Sequence, residues 1–307
     1  MLFQPHKPGE DRIFAKDPCV VRFHGKAYLY YSKPADVSRE WSAFHIGIAA
    51  SDDLEHWEVC GEILPQQEAE GMGICAPGAI VLNGVIHLFY QSYGQFPKDY
   101  ICHAVSTDGI NFVRDSSNPI IVPQGEWNIH RAIDADVVAF RDQLLLYWAT
   151  RDPEGKKQLL GVSAAPLDSA FARDDWKQLC TEPVLAPELD WEQACIEAPA
   201  AMVWNDRVYL FYAGAYNCCP QQIGCAVSTD ALHYTRLFTT PLLPSGPAGS
   251  WNESESGHPY IFEDNGVYHL FYQGSDDKGK TWRLSRALIR FDGHGMPYVV
   301  QEGCAFR

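Results

Sequence analysis

Three acidic residues and one histidine occupy matching positions of an internal repeat. Asp17, Asp134 and His258 each lie 14 residues before an aromatic residue of the repeat, and Glu197 lies 15 residues before one. Glycoside hydrolysis needs two carboxyl groups across a cleft, one protonated at the leaving oxygen and the other ionised to activate water or to attack carbon. A third carboxylate nearby helps to keep the acid protonated. We therefore predict that Asp17, Asp134 and Glu197 are catalytic.

The repeat predicts the strands that would bring these residues together. Its clearest part is a strand rich in aromatic residues, which occurs five times and is marked by the anchor residues Tyr31, Tyr90, Trp148, Tyr212 and Tyr272. Successive anchors are 59, 58, 64 and 60 residues apart, a spacing typical of a large propeller blade. Turn sequences such as Asn83-Gly84 precede the aromatic strands and predict hairpins. A strand of small residues follows, and we expect it to let neighbouring blades pack closely.

These patterns predict an all-β fold, a single five-bladed β-propeller with four-stranded antiparallel blades around a central channel. A chain of 307 residues accommodates five such blades without a second domain. We expect one catalytic domain over residues 1–307, with blades at 14–65, 74–123, 131–186, 194–244 and 255–302.

The first strand of every propeller blade lines the channel, so residues at the same offset in different repeats become neighbours. Four repeats have a proline after this offset, in Asp17-Pro18, Ala76-Pro77, Ala198-Pro199 and His258-Pro259. Packing alone would favour one residue type before the proline, whereas charged groups crowded into a channel repel one another and lower stability. The variation at this offset therefore indicates a functional site on the axis.

The overall charge limits the classes of partner. The chain carries 24 basic and 39 acidic residues, a net charge of −15, which disfavours nucleic acid and anionic membranes. The first eight residues lack a signal-peptide pattern and no apolar run approaches 18 residues, so we predict a cytoplasmic protein with no membrane partner. Ten cysteines are scattered without metal-binding spacing, which favours reduced thiols.

Four motifs together resemble glycoside hydrolase family 43 and the wider group of five-bladed furanosidase-like enzymes. The resemblance covers nearly the whole chain, and its motifs occur in the expected order in separate blades. In the order general base, pKa modulator, general acid and fifth-blade histidine, the motifs are Ala15-Lys16-Asp17-Pro18, Arg131-Ala132-Ile133-Asp134-Ala135-Asp136, Ile196-Glu197-Ala198-Pro199 and Ser256-Gly257-His258-Pro259.

The resemblance implies hydrolysis with inversion, in which Asp17 deprotonates a water, Asp134 modulates the pKa of the acid and Glu197 protonates the departing oxygen. It implies arabinofuranosyl, xylosyl or galactofuranosyl linkages of oligosaccharides as substrates and no cofactor for the chemistry. In many members the fifth-blade histidine faces a hydrated axial ion, often calcium, so a structural Ca²⁺ held through water by His258 is also expected. Inversion requires carboxyl groups roughly 6.5–9.5 Å apart, and retention about 5 Å.

Two features leave alternatives open. Asp136 lies on the same strand face as Asp134, and Ala135 replaces a proline that is frequent in the family. Arg151-Asp152-Pro153 resembles a motif of the invertase-like and levansucrase-like families. The alternative functions are a retaining invertase-like or anhydrogalactosidase-like propeller glycosidase and a propeller that binds carbohydrate without catalysis.

Side chains close to the axial residues are candidates for contacts with sugar rings. The predicted substrate-binding residues are His258, Trp127, Tyr93, Trp41, Trp251 and Arg151. Packing of the aromatic residues within their loops is the alternative interpretation. The expected partner is an oligosaccharide substrate, and we expect a monomer or a small homo-oligomer.

Overall fold

A computed structural model describes residues 2–5, 13–35 and 43–300, which form five antiparallel β-sheets. The strands of the first three sheets are β2 (Lys16–Phe23), β3 (Lys26–Pro34), β4 (Phe44–Ser51), β5 (Glu58–Ile63), β6 (Gly73–Leu82), β7 (Val85–Tyr93), β8 (Ile101–Ser106), β9 (Val113–Arg114), β10 (Ile133–Phe140), β11 (Gln143–Arg151), β12 (Gln158–Pro166) and β13 (Lys177–Gln178). The strands of the last two sheets are β14 (Ile196–Trp204), β15 (Arg207–Gly214), β16 (Gln222–Ser228), β17 (Thr235–Arg236), β18 (Glu255–Asp264), β19 (Val267–Ser275), β20 (Arg283–Phe291), β21 (Pro297–Val300) and the N-terminal β1 (Leu2–Phe3).

The five sheets are the blades of a propeller. Their first strands contact one another in a closed ring, β2 with β6, β6 with β10, β10 with β14, β14 with β18 and β18 with β2. Each blade continues outward through antiparallel neighbours, for example from β6 to β7, β8 and β9. The predicted five-bladed β-propeller with four-stranded antiparallel blades is confirmed, and β1 adds a fifth strand to the last blade by pairing with β20.

Helical structure is confined to short connections. In the described part of the chain the 3₁₀ helices are Glu68–Glu70, Arg173–Asp175 and Asp190–Glu192. None of these has the length and the hydrophobicity to cross a bilayer.

The aromatic anchors fill the interior of each blade, opposite small residues of the third strand. The cross-strand pairs are Tyr31–Gly47, Trp148–Gly161 and Tyr212–Gly224. A Cβ atom on Gly161 or Gly224 would lie 2.5 Å from the ring opposite, so only glycine leaves room for that ring. The small residues therefore accommodate aromatic rings of their own blade, whereas the sequence suggested contacts between neighbouring blades.

Each first strand carries a β-bulge at the offset singled out in the sequence. The pairing register shifts there in all five blades. The bulge residues have φ angles between 42° and 54° although none is glycine; they are Asp17, Ala76, Asp134, Ala198 and His258. A left-handed conformation costs a non-glycine residue about 1–2 kcal/mol, and a bulge changes the direction in which a side chain points. The repeated bulge thus directs one side chain per blade at the axis.

Side chains of the preceding blade hold three of these bulges in place. In each case the residue after the aromatic anchor accepts a hydrogen bond of 2.8–3.0 Å from the bulge N–H. The pairs, with the acceptor first, are Ser32–Ala76, Gln91–Asp134 and Gln273–Asp17. Blades three and four have alanine after the anchor, so other side chains hold the next bulge. Asp134 accepts a hydrogen bond of 3.4 Å from the N–H of Ala198, and Gln221 accepts one of 3.2 Å from the N–H of His258.

Blade two and blade four each contain a buried cluster of a glutamate, a tyrosine anchor and an arginine. The Glu70 carboxylate accepts hydrogen bonds from the Tyr90 hydroxyl and from Arg114 Nε, both at 2.6 Å. The equivalent residues of blade four, with distances of 2.7 and 2.8 Å, are Glu192, Tyr212 and Arg236. Both carboxylates are fully buried. Each cluster joins the segment before the first strand to the second and fourth strands of its blade.

Candidate active site

One pocket at the hub contains most of the predicted site. Its volume is about 270 Å³. The predicted residues that line it are Asp17, Tyr93, Asp134, Arg151, Glu197 and His258. These residues come from all five blades, so segments far apart in the sequence meet in a single cavity.

Asp17 is the pocket acid whose charge is best stabilised. His258 Nδ1 lies 3.1 Å from Asp17 Oδ1, and Lys16 is the preceding residue. Burial alone would raise the pKa of the Asp17 carboxyl, but His258, Lys16 and a hydrogen bond from Ser32 outweigh it and hold this pKa below its usual range. Asp17 is therefore ionised at neutral pH, as a base must be.

Asp134 occupies the equivalent bulge of blade three in a different environment. Burial and the nearby Glu197 and Asp17 together raise the pKa of its carboxyl to about 6, against the opposing effect of His258. Its Oδ2 accepts a hydrogen bond from the N–H of Ala198 at 3.4 Å. Ala198 directly follows Glu197, the general-acid candidate, so Asp134 contacts the backbone beside that residue. The pKa of Asp134 therefore depends on the charges of both Glu197 and Asp17.

Glu197 immediately precedes the bulge of blade four and is held by two glutamine side chains. Gln221 Nε2 donates to Oε1 at 2.6 Å, and Gln158 Nε2 donates to Oε2. Burial raises the pKa of the Glu197 carboxyl, and the Gln221 hydrogen bond and the charge of Lys16 oppose this rise. The net shift is upward, in the direction that a general acid needs.

The structure separates Asp134 from Asp136, which the sequence left as alternatives. Asp136 lies beyond the bulge and does not line the pocket. Its Oδ2 accepts a hydrogen bond from the N–H of Ala201 at 2.6 Å. Burial raises the pKa of the Asp136 carboxyl to about 7. Asp136 therefore links two first strands, and Asp134 is the aspartate of this motif that faces the pocket.

Several pocket residues were not singled out from the sequence as site residues. They are Lys16, Cys75, Gln91, Arg131, Gln158, Tyr216 and Asn217. Lys16 Nζ donates to Asn217 Oδ1 at 3.0 Å and lies 4.5 Å from the centre of the Trp282 ring. A signal existed for the glutamines, because Gln158 begins the third strand β12 and Gln221 directly precedes the third strand β16, but an alignment guided by hydrophobic positions does not detect it.

A buried carboxyl lies behind the pocket. Glu255 is fully buried, and its carboxylate accepts hydrogen bonds from Gln273 Nε2 at 2.6 Å and from the Cys218 N–H at 2.7 Å. Burial raises the pKa of Glu255 to about 7, against the opposing charge of Lys16. Gln273 also accepts the hydrogen bond from the Asp17 N–H, so Glu255 helps to position Asp17 through Gln273.

The predicted aromatic contacts divide into two groups. Tyr93 lines the pocket, whereas Trp127 stacks on Trp148 with ring centres 5.8 Å apart, and Trp251 lies 5.7 Å from Tyr272. These two tryptophans pack against aromatic anchors and do not line the pocket, so their role in substrate binding stays a prediction. Trp41 lies outside the described residues.

Comparison with known proteins identifies the family. The profile described as glycosyl hydrolases family 43 matches residues 12–293. The chain belongs to this family. The family predicted from the four motifs is confirmed, and with it the enzyme class, the glycosidases.

Individual family 43 and related proteins show how far the similarity extends. The chain is 26% identical over 266 residues to sucrose-6-phosphate hydrolase of Escherichia coli, covering 82% of this chain and 49% of that protein, so it spans about half the length of this relative. A thermostable family-43 glycoside hydrolase has a TM-score of 0.75 at 18% identity, with 95% of both chains covered. An exo-1,5-α-L-arabinanase from a bovine ruminal metagenomic library has a TM-score of 0.67 at 17% identity, with 97% of this chain and 100% of that chain covered. The two structures share the propeller fold.

The ion expected from the family 43 resemblance was tested against the side chains present. The described residues contain no group of three or more histidine, cysteine, aspartate or glutamate side chains arranged to hold a metal ion. His258 Nδ1 faces Asp17 at 3.1 Å. These side chains do not bind an ion directly, so Ca²⁺ held through water by His258 stays a prediction.

Proposed function

We propose that the protein is an inverting glycoside hydrolase in which Asp17 is the general base, Asp134 the pKa modulator and Glu197 the general acid. One observation carries this proposal: three carboxyl groups line one pocket, and their environments move their pKa values apart. The pKa of Asp17 is lowered, whereas those of Asp134 and Glu197 are raised. Carboxyl groups whose environments separate their pKa values are the arrangement that acid–base catalysis of glycoside hydrolysis requires.

The proposed reaction uses one water. Asp17 accepts a proton from the water while the water oxygen attacks the anomeric carbon. The bond between that carbon and the glycosidic oxygen breaks, and Glu197 gives its proton to the departing oxygen. Asp134, whose own pKa responds to the charge of Glu197, is assigned the role of pKa modulator, and His258, 3.1 Å from Asp17, helps to keep the base ionised.

The proposed substrates are oligosaccharides with arabinofuranosyl, xylosyl or galactofuranosyl linkages. The pocket of about 270 Å³ is small beside typical ligand pockets of about 300–1,000 Å³, which favours a single terminal sugar and hence exo action. Similarity in fold to a protein described as an exo-1,5-α-L-arabinanase supports the same substrate class.

A retaining, invertase-like reaction is the second candidate. Arg151 of the Arg151-Asp152-Pro153 motif lines the pocket, and the Escherichia coli relative is described as a sucrose-6-phosphate hydrolase. In that reaction the Asp17 carboxylate displaces the leaving oxygen from the anomeric carbon while Glu197 protonates that oxygen. A water then hydrolyses the glycosyl–enzyme bond, with Glu197 accepting its proton, so the product keeps its configuration. Proton NMR of the first product formed separates the candidates, because inversion and retention release opposite anomers.

The proposal predicts a large loss of activity in Asp17→Asn. The amide cannot accept the proton of the attacking water, so kcat should fall about 10²- to 10⁴-fold. Calorimetric titration with a non-hydrolysed oligosaccharide should show binding within about threefold of the wild type. Asp168→Asn, an exposed aspartate outside the pocket, is the matched control and should keep full activity.

The substrate panel consists of nitrophenyl glycosides, arabinan and xylan fragments, and fructans. Hydrolysis by the wild type and none by Asp17→Asn supports the enzyme. Binding of these sugars by a wild type that hydrolyses none of them would instead establish the non-catalytic carbohydrate-binding propeller.

Two further properties stay predictions. Light scattering coupled to size-exclusion chromatography tests for a monomer or small homo-oligomer. Fractionation of the cells that produce the protein tests the cytoplasmic location.

A further inference from the structure

Two arginines of blade three lie side by side at the pocket. Arg131 and Arg151 both line it. Arg151 is the last residue of β11, and Arg131 lies two residues before β10, the strand that pairs with β11. A hydrogen bond of 3.1 Å between His130 Nε2 and the Pro153 carbonyl holds the two segments together. The two arginines therefore lie on linked segments of blade three, and both reach the same pocket.

Neither guanidinium has an acidic partner among the described residues. Arg131 Nε is buried without any hydrogen-bond partner, and its guanidinium lies 5.6 Å from the centre of the Phe96 ring. Arg151 donates only to neutral oxygens, from Nε to Gln158 Oε1 at 2.9 Å and from Nη1 to the Gly155 carbonyl at 3.1 Å. By contrast, the framework arginines form ion pairs of 2.6–2.8 Å; examples are Arg22, Arg114 and Arg236.

Two acidic residues close to these arginines, Asp99 in space and Asp152 in the sequence, form hydrogen bonds to other groups. Asp99 accepts a hydrogen bond from the Gln95 N–H at 3.0 Å. Asp152 accepts hydrogen bonds from the N–H groups of Lys156 and Lys157 at 2.6 and 2.9 Å. Neither aspartate forms an ion pair with a pocket arginine. Arg131 and Arg151 carry like charges at one cavity, and like charges close to each other disfavour the charged form of both groups. Two guanidinium groups without an ion pair at one cavity are therefore a structural disadvantage unless a ligand supplies further negative charge.

The pocket as a whole can accept a negative charge. Three carboxyl groups, those of Asp17, Asp134 and Glu197, face the three cationic side chains of Lys16, Arg131 and Arg151. When the general acid holds its proton, the cationic groups outnumber the carboxylates. The guanidinium group presents planar donors that match carboxylate and phosphate oxygens.

We propose that the natural substrate carries an anionic group, a phosphate ester or a carboxylate, and that Arg131 and Arg151 bind it. This inference rests on the proposed glycosidase function and adds one feature of the substrate, a phosphate or carboxylate group on the sugar that the pocket binds. The neutral part of the sugar then lies against Tyr93 and the carboxyl groups, where the bond is cleaved.

Calorimetric titration with matched pairs of sugars tests the anion site. The pairs are fructose 6-phosphate with fructose, and galacturonate with galactose. The wild type should bind at least one anionic sugar about tenfold or more tightly than its neutral partner, because hydrogen bonds to charged groups are strong. Preference within the first pair identifies a phosphate site, and preference within the second a carboxylate site. Equal affinities within both pairs, or no binding of either anionic sugar, overturns the proposal.

Substitutions assign the preference to the two arginines. Arg131→Gln and Arg151→Gln should each weaken binding of the preferred anionic sugar about tenfold more than binding of its neutral partner. Arg131→Lys keeps the charge and loses the planar donors, so it should be intermediate. Arg141→Gln, at the far end of the same hairpin and exposed, is the control and should match the wild type. Circular dichroism verifies that each variant is folded, and an unchanged preference in both folded glutamine variants overturns the assignment.

Hydrolysis assays separate this inference from the proposed function. Sucrose and sucrose 6-phosphate, and a neutral nitrophenyl glycoside with its uronide, are compared by kcat/KM. Cleavage of the neutral sugars with no preference for the charged ones overturns the anionic substrate and leaves the glycosidase intact. Arginine-dependent binding of the anionic sugars with no cleavage of any substrate contradicts the glycosidase and supports the anion site.

Discussion

Asp17 and Asp134 occupy equivalent bulges of their blades, yet their surroundings move their pKa values in opposite directions. Both are buried, which alone would raise both values. His258 and Lys16 lie beside Asp17 and overcome this effect, whereas Asp134 has acidic neighbours that add to it. Local charge therefore decides which of the two carboxyl groups is suited to act as a base.

The hydrogen bond from Gln221 to Glu197 predicts a shift in the pH profile. This bond stabilises the ionised form of Glu197 and lowers its pKa. In Gln221→Met the pKa of Glu197 should rise, so the alkaline limb of kcat/KM moves to higher pH while the acidic limb, set by Asp17, changes little. Initial rates between pH 3 and 9 give both limbs.

Gln143→Met is the control for this profile, because Gln143 is exposed at the start of β11. Its two limbs should coincide with those of the wild type. An alkaline limb that moves to lower pH in Gln221→Met contradicts the role given to Glu197, since a lost donor cannot stabilise a carboxylate.

At the residue scale the sequence identified the side chains that recur at one offset and missed the others. Asp17, Asp134 and His258 share a bulge position, so aligning the repeats is enough to bring them together. Arg131 lies before a first strand and Tyr216 in a loop, and these segments differ from blade to blade. Their convergence depends on loop conformation, which no repeat pattern encodes.

The glutamate clusters of blades two and four are the main polar elements of the framework. Glu70 is 20 residues before Tyr90 and 44 before Arg114, and the same separations occur in blade four. Each carboxylate is satisfied by side-chain donors and by backbone N–H groups of the preceding turn. The clusters therefore fix the direction in which the chain enters two of the first strands.

Removing the arginine of one cluster should destabilise the protein strongly. Arg114→Met leaves Glu70 buried without its cation, which typically costs about 3–5 kcal/mol of unfolding free energy. Urea denaturation at pH 7 measures this loss. Arg141→Met removes an exposed pair of 3.9 Å and should cost less than about 1 kcal/mol.

The same pair predicts how the loss varies with pH. The folded-state pKa of Glu70 is lowered by its donors against the effect of burial, so its contribution to stability is complete above the unfolded-state pKa of about 4.3. This contribution disappears as the pH falls through the folded-state pKa. The difference between wild type and Arg114→Met should therefore shrink in acid, and a difference that grows below pH 4 would contradict the pairing.

The bulge conformation gives a second prediction at this scale. Ala76 has a φ of 47°, and Ala79 lies on the same strand without a positive φ; both are buried. Ala79→Gly should cost about 1 kcal/mol through lost backbone restriction. In Ala76→Gly the release of left-handed strain, about 1–2 kcal/mol, offsets that cost, so stability should stay within about 1 kcal/mol of the wild type or rise.

Urea denaturation of both glycine variants measures the difference. Equal destabilisation at the two positions would show that the bulge stores no strain.

Sequence reasoning located the strands because each has its own hydrophobic signal, whereas the bulges and clusters have none. The five aromatic strands are buried on both faces, so their apolar runs are continuous; β15 is buried over all but its first residue. The bulge residues are aspartate, alanine and histidine, with no glycine to mark a positive φ. Burial of Glu70 and Glu192 contradicts the usual preference of glutamate for the surface, and only their partners in space explain it.

Besides the contact of β18 with β2, the N-terminal strand β1 forms a second closure between the last blade and the first. Phe3 is buried and lies 5.1 Å from the Tyr31 ring of blade one, while the backbone of β1 pairs with β20 of blade five. A two-residue strand carries no periodic signal, so the sequence did not predict this closure. The count of five blades, by contrast, follows directly from the five anchors.

Loss of the Phe3 side chain should loosen this closure. Phe3→Ala removes a buried ring between the first and last blades and should cost about 3–5 kcal/mol. Phe96→Ala, where the ring is 67% exposed, should change stability by less than about 0.5 kcal/mol. Thermal unfolding followed by circular dichroism compares the two variants, and equal melting temperatures would show that β1 is not part of the closure.

The shared bulge also makes the hub a scaffold for new chemistry. Ala76 and Ala198 have the same backbone conformation as His258, and their methyl groups are the smallest side chains of the five. Replacing both with histidine would surround the axis with three imidazoles, the donor set found in catalytic zinc enzymes such as carbonic anhydrase. A natural sugar-cleaving fold thereby offers a starting point for designing an artificial metalloenzyme.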